Sequence, residues 1–200
     1  MEATPATRRQ FRGERVYLRF VEPEDLPLIQ TWFEDGETAS LMGGIAGSLA
    51  SRRARFEARL VGSGPPDGYQ FLICRIADDL PIGRVDLFEV DRYSGSAAVG
   101  ITIGRRDLWG SGHGSDALAP LLDFAFGLLR LERVWLDTAT DNVRAQRAYE
   151  KAGFTPEGVL RHAFFQDGRY GDVAIMSILR DEWEALGRPK AWDLVGSERD

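Results

Sequence analysis

The sequence predicts a single mixed α/β domain in which several strands come first and strands then alternate with helices. Three observations lead to this prediction: an alternating apolar pattern at residues 15–20, three strand-like runs in the middle of the chain, and an Asp167-Gly168 hairpin signal near its end. The predicted order is β-α-α-β-β-β-α-β-α-β-β. A length of 200 residues suits one domain with a sizeable core.

The N-terminal half is predicted to supply one strand, two helices and a three-stranded meander. Val16 and Leu18 alternate with polar residues, as in a half-buried strand, and Pro23 suits the first turn of the helix that follows. The predicted elements are a strand at 15–20, a helix from about 23, a helix at 51–61, a loop at 62–68, and strands at 69–76, 82–90 and 96–103.

The C-terminal half is predicted to alternate strands and helices before it closes on a hairpin. A glycine-rich turn at 110–114 precedes a long apolar helix reaching about residue 130, in which Pro120 should bend the axis. A second helix ends at Gly153, a residue that readily adopts the left-handed conformation of a helix C-terminus. The predicted elements are strands at 134–138, 158–166 and 169–179, and a helix at 142–151.

The composition excludes several classes of protein. The chain has 25 Lys+Arg against 31 Asp+Glu, a net charge of −6, which argues against a general nucleic-acid binder. One cysteine, Cys74, excludes an intramolecular disulfide framework and a Cys-rich zinc site, and no metal is predicted. No run of about 18 apolar residues predicts a membrane span, and residues 1–11 lack the apolar stretch of a secretory signal. We therefore expect a cytoplasmic protein that binds neither membranes nor nucleic acids.

The predicted domain boundaries follow the distribution of breakers and charges. Residues 1–10 are predicted to form a flexible tail, and 11–186 to form the single domain. Residues 187–200 mix breakers with charges and are expected to be loosely ordered, with Trp192 as their one candidate anchor.

The glycine-rich turn is a candidate phosphate site. Glycines at a strand-to-helix junction allow backbone N–H groups and a helix N-terminus to surround a pyrophosphate. The segment lacks the Gly-Lys-Ser/Thr ending of a P-loop, and its spacing differs from the dinucleotide fingerprint. Taken alone, it is equally compatible with a turn that binds no ligand.

A second candidate lies on the helix at 142–151. Asn142, Ala145 and Tyr149 are spaced i, i+3 and i+7, and therefore share one face. A carboxamide, a small residue and a phenol in a row suit an amide-bearing ligand and end in a proton donor. The alternative is that Ala145, Ala148 and Tyr149 simply pack into the core.

Together these two segments resemble the signatures of the GNAT acyltransferase superfamily. The first resembles its coenzyme A pyrophosphate loop, and the second its N-x-x-[SA]-x-x-x-Y-E-K-x-G-F motif. Residues 15–25, together with Glu157-Gly158, 167–170 and Asp172, are similar to the ribosomal-protein N-acetyltransferase (RimJ/RimL-like) branch. The quoted loop is Trp109-Gly110-Ser111-Gly112-His113-Gly114, and the quoted motif is Asn142 with Tyr149-Glu150-Lys151-Ala152-Gly153-Phe154.

The resemblance implies a GNAT acyl-CoA fold, that is, a mixed, mostly antiparallel central sheet with flanking helices. The family sheet is splayed between its fourth and fifth strands, which we assign to residues 82–90 and 96–103. The resemblance also implies acetyl-CoA as co-substrate and an amine acceptor, and it is compatible with a homodimer. The acetyl-CoA contacts that it implies are Ile101, Thr102, Ile103, Trp109, Gly110, Ser111, Gly112, His113, Gly114, Asn142 and Ala145, with the His113 side chain expected to face solvent or a CoA phosphate.

The implied chemistry is direct attack of a neutral amine on the thioester. Tyr149 is the predicted donor to the leaving thiolate, because a phenol stays protonated at neutral pH. Where many members of the branch have Ala-Glu-Ile-Gly, this chain has Ala98 in place of the acid. Asp86 is our candidate base and Glu89 its alternative, since their odd spacing places them on opposite faces of a regular strand. A water chain to bulk solvent is a further option.

The leading hypothesis is therefore an acetyl-CoA-dependent N-acetyltransferase acting on a primary amine, either a protein N-terminus or a small amine. The loss of the acid at Ala98 keeps open a catalytically weak acyl-CoA-binding module, and the glycine loop alone keeps open a nucleotide binder. Residues 35–51 are expected to wall the acceptor site.

Overall fold

A computed structural model describes residues 11–34, 68–166 and 168–196. It confirms the predicted fold class, with an eight-stranded sheet of order β1-β2-β3-β4-β5-β6-β8-β7 flanked by helices. The predicted helix at 51–61, the acceptor wall at 35–51 and the tail at 1–10 lie outside the described residues. The strands are β1 Phe11–Arg12, β2 Val16–Phe20, β3 Gly68–Arg75, β4 Pro81–Asp91, β5 Ser96–Ile103, β6 Arg133–Ala139, β7 Thr155–Gln166 and β8 Arg169–Leu179.

Helices cover both faces of the sheet. Within the described ranges, no helix is both long and apolar enough to cross a bilayer. The α-helices are α1 Leu26–Glu34, α2 His113–Leu122, α3 Val143–Lys151, α4 Arg180–Ala185 and α5 Ala191–Gly196, with 3₁₀ turns at Pro23–Asp25 and Arg106–Leu108 and a π-helix at Asp123–Leu128.

The alternation of side chains in β2 and β3 divides the interior into two clusters. One face of the sheet packs Leu18 and Phe71 against Leu118 of α2, in the main core. The other face packs Tyr17 and Leu72 against α1 in a smaller cluster. This part of the sheet is therefore buried on both faces, and a site in it opens where strands separate.

The opening in the sheet lies between β5 and β6, so our assignment of the splay to residues 82–90 and 96–103 is wrong. β4 and β5 stay paired from Gly83 opposite Ile103 to Asp91 opposite Ser96. β5 and β6 run parallel and share only three pairs, the last being Ala98 with Trp135. The reason is connectivity: a tight turn at 92–95 keeps β4 and β5 in register, whereas a helical crossover joins β5 to β6.

The helix after the glycine loop changes its winding close to Pro120. Proline cannot donate a backbone hydrogen bond, and we predicted a bend there. α2 instead continues through Pro120 and widens into the π-helix, where the Leu129 N–H donates to the Phe124 carbonyl at 3.0 Å. This wider turn buries Phe124 and Phe126 together.

Part of the segment after residue 186, which we expected to be loosely ordered, packs against the domain at residues 188–192. Asp123, only 1% exposed, accepts hydrogen bonds from the Arg188 guanidinium at 2.7 Å and from the Ala191 N–H at 2.6 Å. The Trp183 indole N–H donates to the same carboxylate at 2.9 Å, and Trp192 packs edge-on against that indole ring. Neutralising a buried carboxylate fixes this segment to the domain.

Candidate active site

The open edge of β5 presents backbone groups of alternate residues. The Gly104 N–H donates to the Ile82 carbonyl at 2.9 Å, which sets the phase of the antiparallel ladder with β4. By that two-residue alternation, Thr102 directs its backbone groups towards β4, while Ile101 and Ile103 direct theirs into the opening. Of the three predicted strand contacts for acetyl-CoA, the backbone of Thr102 therefore faces away from the opening.

The glycine loop adjoins one end of the opening. Gly110 and Gly112 have φ of +75° and +83°, a left-handed region that favours glycine. A Cβ added at Gly110 would meet no atom within 4 Å, so backbone conformation and access, rather than packing, account for the glycine there. The first turn of α2, at His113 and Gly114, has N–H groups without carbonyl partners inside the helix. Open space beside such donors fits an anionic ligand such as a pyrophosphate.

The His113 side chain faces inward, contrary to our expectation. It is only 8% exposed, and its Nδ1 is buried with no hydrogen-bond partner among the described residues. Its side chain therefore contributes to the packing under the loop, and its backbone lies in the first turn of α2.

Two polar side chains, which our sequence reasoning missed, hold the loop against the N-terminal strand. The Asp116 carboxylate accepts the backbone N–H groups of Glu14, Arg15 and Val16, each at 2.9 Å. The Arg15 guanidinium donates to the Ser111 carbonyl at 2.9 Å. An acid in the first turn of a helix is a recognisable signal, but its partners lie about a hundred residues earlier in the chain.

Guanidinium groups gather beside the loop, although the whole chain is acidic. The guanidinium of Arg144 lies 4.1 Å from the centre of the Trp109 ring, and that of Arg106 lies 5.4 Å from it. Arg105, which also precedes the loop, is paired with Asp107 at 2.8 Å. Local positive charge, rather than net attraction, thus favours an anion at the loop.

The helix α3 buries Tyr149 in the core, within reach of the charge of Asp137. The Asn142 side chain caps this helix by accepting the Ala145 N–H at 3.2 Å, so its carboxamide oxygen is already engaged. Tyr149 is only 7% exposed and packs against Phe154, as the packing alternative required. Its hydroxyl, however, forms no hydrogen bond with a described residue. Burial, with a smaller contribution from the charge of Asp137, raises the pKa of Tyr149 to about 12.

Three carboxylates are candidates for the general base. Asp86 and Glu89 lie on β4, and Asp137 lies on β6, which borders the opening. Asp86 stands opposite Gly100 and is bound by Arg84, whose Nε donates to it at 2.9 Å. Because Arg84 is only 5% exposed, its buried charge requires such an anion. Glu89 is exposed in a bulge, with φ of +52°. Asp137 is exposed on β6, two residues beyond the last β5–β6 pair, and its charge acts on Tyr149.

Our sequence reasoning did not find Asp137. The available signal was its position towards the carboxyl end of a parallel strand, where open sheets place their ligands. That signal becomes specific only when the neighbouring strand is known to diverge.

The described residues contain no group of three or more His, Cys, Asp and Glu side chains that could hold a metal ion. Cys74 is buried, and burial raises the pKa of its thiol, so it remains an uncharged core residue.

Comparison with known proteins agrees with this geometry. A family model described as an acetyltransferase (GNAT) domain matches residues 15–155. The uncharacterized N-acetyltransferase p20 of Bacillus licheniformis is 28% identical over 172 residues, covering 85% of this chain and 96% of that protein. The spermidine N(1)-acetyltransferase of Vibrio cholerae is 36% identical over 102 residues, covering 51% of this chain and 58% of that protein. A putative ribosomal N-acetyltransferase of Bacillus subtilis, YdaF, is 30% identical over 102 residues, covering 51% of this chain and 55% of that protein.

The solved structures give the same result. The crystal structure of spermidine N-acetyltransferase from Vibrio cholerae in complex with CoA and spermine has a TM-score of 0.77 and 27% identity, covering 84% of this chain and 98% of that one. The relatives include spermidine enzymes as well as a putative ribosomal one, so the ribosomal-protein branch that we predicted is not confirmed. Acetyl-CoA-dependent N-acetylation is the activity that family and geometry share, and this chain belongs to the GNAT acetyltransferase family.

Proposed function

We propose that this protein transfers the acetyl group of acetyl-CoA to a small amine of the polyamine type. The observation that carries the proposal is the opening beside Ile101 and Ile103, which has the glycine loop near one end and, on its β6 side, Asp137, whose charge acts on the buried Tyr149 phenol. An exposed carboxylate at Asp137 and a net charge of −6 favour a cationic acceptor. The Vibrio cholerae relative, a spermidine N-acetyltransferase solved in complex with CoA and spermine, supports the same class.

Different residues around the opening would bind different parts of acetyl-CoA. The N–H groups at 110–114 would hold the pyrophosphate, and the free backbone N–H and carbonyl of Ile101 would pair with the pantetheine arm as an added strand does. Ala145 leaves room on the facing helix. Holding amine and thioester together in this way supplies much of the acceleration.

Acetyl-CoA supplies a thioester carbonyl for the amine nitrogen to attack: a C–N bond forms, the C–S bond breaks, and the CoA sulfur leaves with the electron pair. Tyr149 donates its proton towards that sulfur, and its raised pKa keeps the phenol protonated at every working pH. The attacking nitrogen, cationic once the C–N bond has formed, releases one proton, which reprotonates the Tyr149 phenolate directly or through solvent, so the products are a neutral amide and the CoA thiol.

We assign the acceptor end of the site to Asp137. Its carboxylate forms no ion pair with a described residue, and it lies close enough to Tyr149 to act on the phenol electrostatically. It would hold the ammonium form of the acceptor and take its proton. Asp86, our first candidate, would serve chiefly as the charge partner of Arg84.

Asparagine variants separate these two roles. We expect Asp137→Asn to lower kcat/KM for the amine by about tenfold or more while leaving the KM for acetyl-CoA unchanged. Asp86→Asn should mainly lower the melting temperature. The reverse pattern, with a catalytic defect in Asp86→Asn alone, would return the role of base to Asp86.

An acceptor panel tests the substrate class. Release of CoA is measured with spermidine, spermine, amino acids, aminoglycosides and N-terminal peptides. We expect polyamines to give the highest kcat/KM, whereas a preference for peptides would refute the substrate class. Thermal protection by acetyl-CoA without turnover on any amine would instead indicate a binding module.

We further propose that the protein assembles with copies of itself. The edge strand β7 exposes Val159, Leu160 and Phe165, and exposed edges with apolar side chains are suited to pairing. The Vibrio cholerae spermidine N-acetyltransferase has been solved as a dodecamer. Sedimentation should therefore show an oligomer that a Phe165→Lys substitution weakens, and a monomer at micromolar concentration would contradict this.

A further inference from the structure

The side chain of Trp109 connects three elements of the site. Its indole N–H donates to the Ile103 carbonyl at 2.7 Å, at the end of the open edge of β5. Its backbone begins the glycine loop, immediately before Gly110. Its ring face carries the guanidinium of Arg144, which belongs to α3, the helix of Asn142 and Tyr149.

The Trp109 indole N–H binds the Ile103 carbonyl, which would otherwise face the opening without a partner. Ile103 is the last residue of β5, and its carbonyl has no partner strand on that side. By accepting the indole N–H, this carbonyl ties the strand end to the loop that follows. The opening is therefore closed at this point, and Ile101 remains the free backbone position above it.

The second half of the arrangement is the stacked guanidinium. Arg144 is exposed, and among the described residues no carboxylate pairs with it. A guanidinium that stacks by its face on an aromatic ring keeps its N–H groups directed outward in its own plane. Its charge is therefore uncompensated and held beside the loop that is suited to phosphates.

We propose that Trp109 and Arg144 act as one positioning pair, which fixes the spacing between the β5 edge, the glycine loop and α3 and presents the Arg144 guanidinium to the phosphates of acetyl-CoA. The inference rests on the proposed function, because it concerns the same acetyl-CoA site. The inference goes beyond the proposed function because it assigns binding roles to two side chains, whereas the resemblance of the loop implied only the backbone of Trp109.

The pair makes a specific prediction about which kinetic constant changes. Its residues lie beside the glycine loop, whereas the acceptor end of the site is assigned to Asp137 on β6. Weakening the pair should therefore raise the KM and Kd for acetyl-CoA, while kcat at saturation and the KM for the amine stay within about twofold of the wild type. A residue that merely stabilised the fold would lower the melting temperature without this split.

Four variants test the proposal on the full chain. Trp109→Phe keeps a ring but removes the indole donor, Arg144→Lys keeps the charge but loses the planar stack, and Arg144→Met loses both. Arg147→Ala is the matched control, because Arg147 is an exposed arginine on the same helix with no ion pair or ring contact among the described residues. The Kd for acetyl-CoA is measured by titration calorimetry for each variant and for the Trp109→Phe/Arg144→Met double variant.

We expect the Kd to rise about tenfold in Arg144→Met, with partial rescue in Arg144→Lys, and about fivefold in Trp109→Phe. The double variant should bind better than the product of the two single effects predicts, because each residue acts through the other. Arg147→Ala should match the wild type.

Two results would overturn the inference. One is a Kd unchanged in both Trp109→Phe and Arg144→Met while wild-type protein binds acetyl-CoA; the other is strict multiplication of the two effects. If wild-type protein fails to bind acetyl-CoA at millimolar concentration, the proposed function itself is refuted, and this inference falls with it.

Discussion

Replacing Tyr149 by phenylalanine removes one oxygen atom from a side chain that is 7% exposed. The ring and its packing against Phe154 remain. Because the hydroxyl forms no hydrogen bond with a described residue, the free energy of unfolding should change by less than about 1 kcal/mol. A change in activity would then report on chemistry rather than on folding.

The size of the expected effect follows from two pKa values. Raising the pKa of Tyr149 from 10.0 to about 12 makes its ionisation costlier by about 3 kcal/mol, so at pH 8 only about one phenol in ten thousand is ionised. The leaving thiol has an ordinary pKa of about 8.5, so it needs only modest help near neutral pH. We therefore expect the lower end of general-acid catalysis, a loss of about 100-fold in kcat, or about 2.7 kcal/mol in the barrier.

A thiol reagent that reports released CoA provides the assay, since the only cysteine, Cys74, is buried. The KM for acetyl-CoA should stay within about threefold of the wild type. The solvent isotope effect on kcat should also shrink, because the variant has no hydroxyl proton to transfer to the leaving sulfur. A kcat within about twofold of the wild type would refute the role of Tyr149 as donor and leave it a packing residue.

The remaining predictions concern the loop, its anchor and acid stability. Gly110→Ala should cost about 1 kcal/mol of stability through its left-handed φ and weaken acetyl-CoA binding. Asp116→Ala removes the acceptor of three backbone N–H groups and should cost about 3 kcal/mol, a fall of roughly 6–12 °C in Tm. Arg133 and Ser177 lower the pKa of Glu157 from 4.5 to about 2. The stability from this ionised group is complete above pH 4.5 and is lost as pH falls towards 2. The free energy of unfolding of Glu157→Gln should therefore depend less on pH in this range than that of the wild type.

Each of these outcomes has a contrary result. Unchanged acetyl-CoA affinity in Gly110→Ala would show that the loop backbone does not contact the ligand. A Tm within about 2 °C of the wild type in Asp116→Ala would show that the anchor is dispensable. Urea unfolding from pH 6 to pH 2.5 that is identical in Glu157→Gln and the wild type would remove Glu157 from the acid transition.

Local patterns in the sequence predicted most of this fold because they reflect local physics. The alternation around Val16, the hairpin at 167–168 and the paired motifs at Gly110 and Tyr149 all concern neighbours within a dozen residues. The position of the splay depends on which strands pair across a crossover. The splay lies one strand further along the chain than we predicted, because the short turn at 92–95 keeps β4 and β5 paired as a hairpin.

In the candidate site, too, features set by neighbouring residues were predictable from the sequence, and features set by distant residues were not. The glycine loop and the helix face were predictable as chemistry, but the anchoring of the loop by Asp116 depends on residues about a hundred positions away. The inward orientation of His113 and the pairing of Asp86 with Arg84 depend on packing that periodicity does not encode. Asp137 becomes a candidate only once β5 and β6 are seen to diverge.

The carboxylate of Asp123 ties the completion of the fold to the order of synthesis. Its guanidinium and backbone donors, Arg188 and Ala191, lie 65 and 68 residues later in the chain. A chain emerging from the ribosome therefore carries an acid destined for the core well before its partners exist, and burying it early would strand a charge. The π-helical segment around it should dock late, so the glycine loop at the other end of the same helix gains its final support only after residues 188–191 have been synthesised.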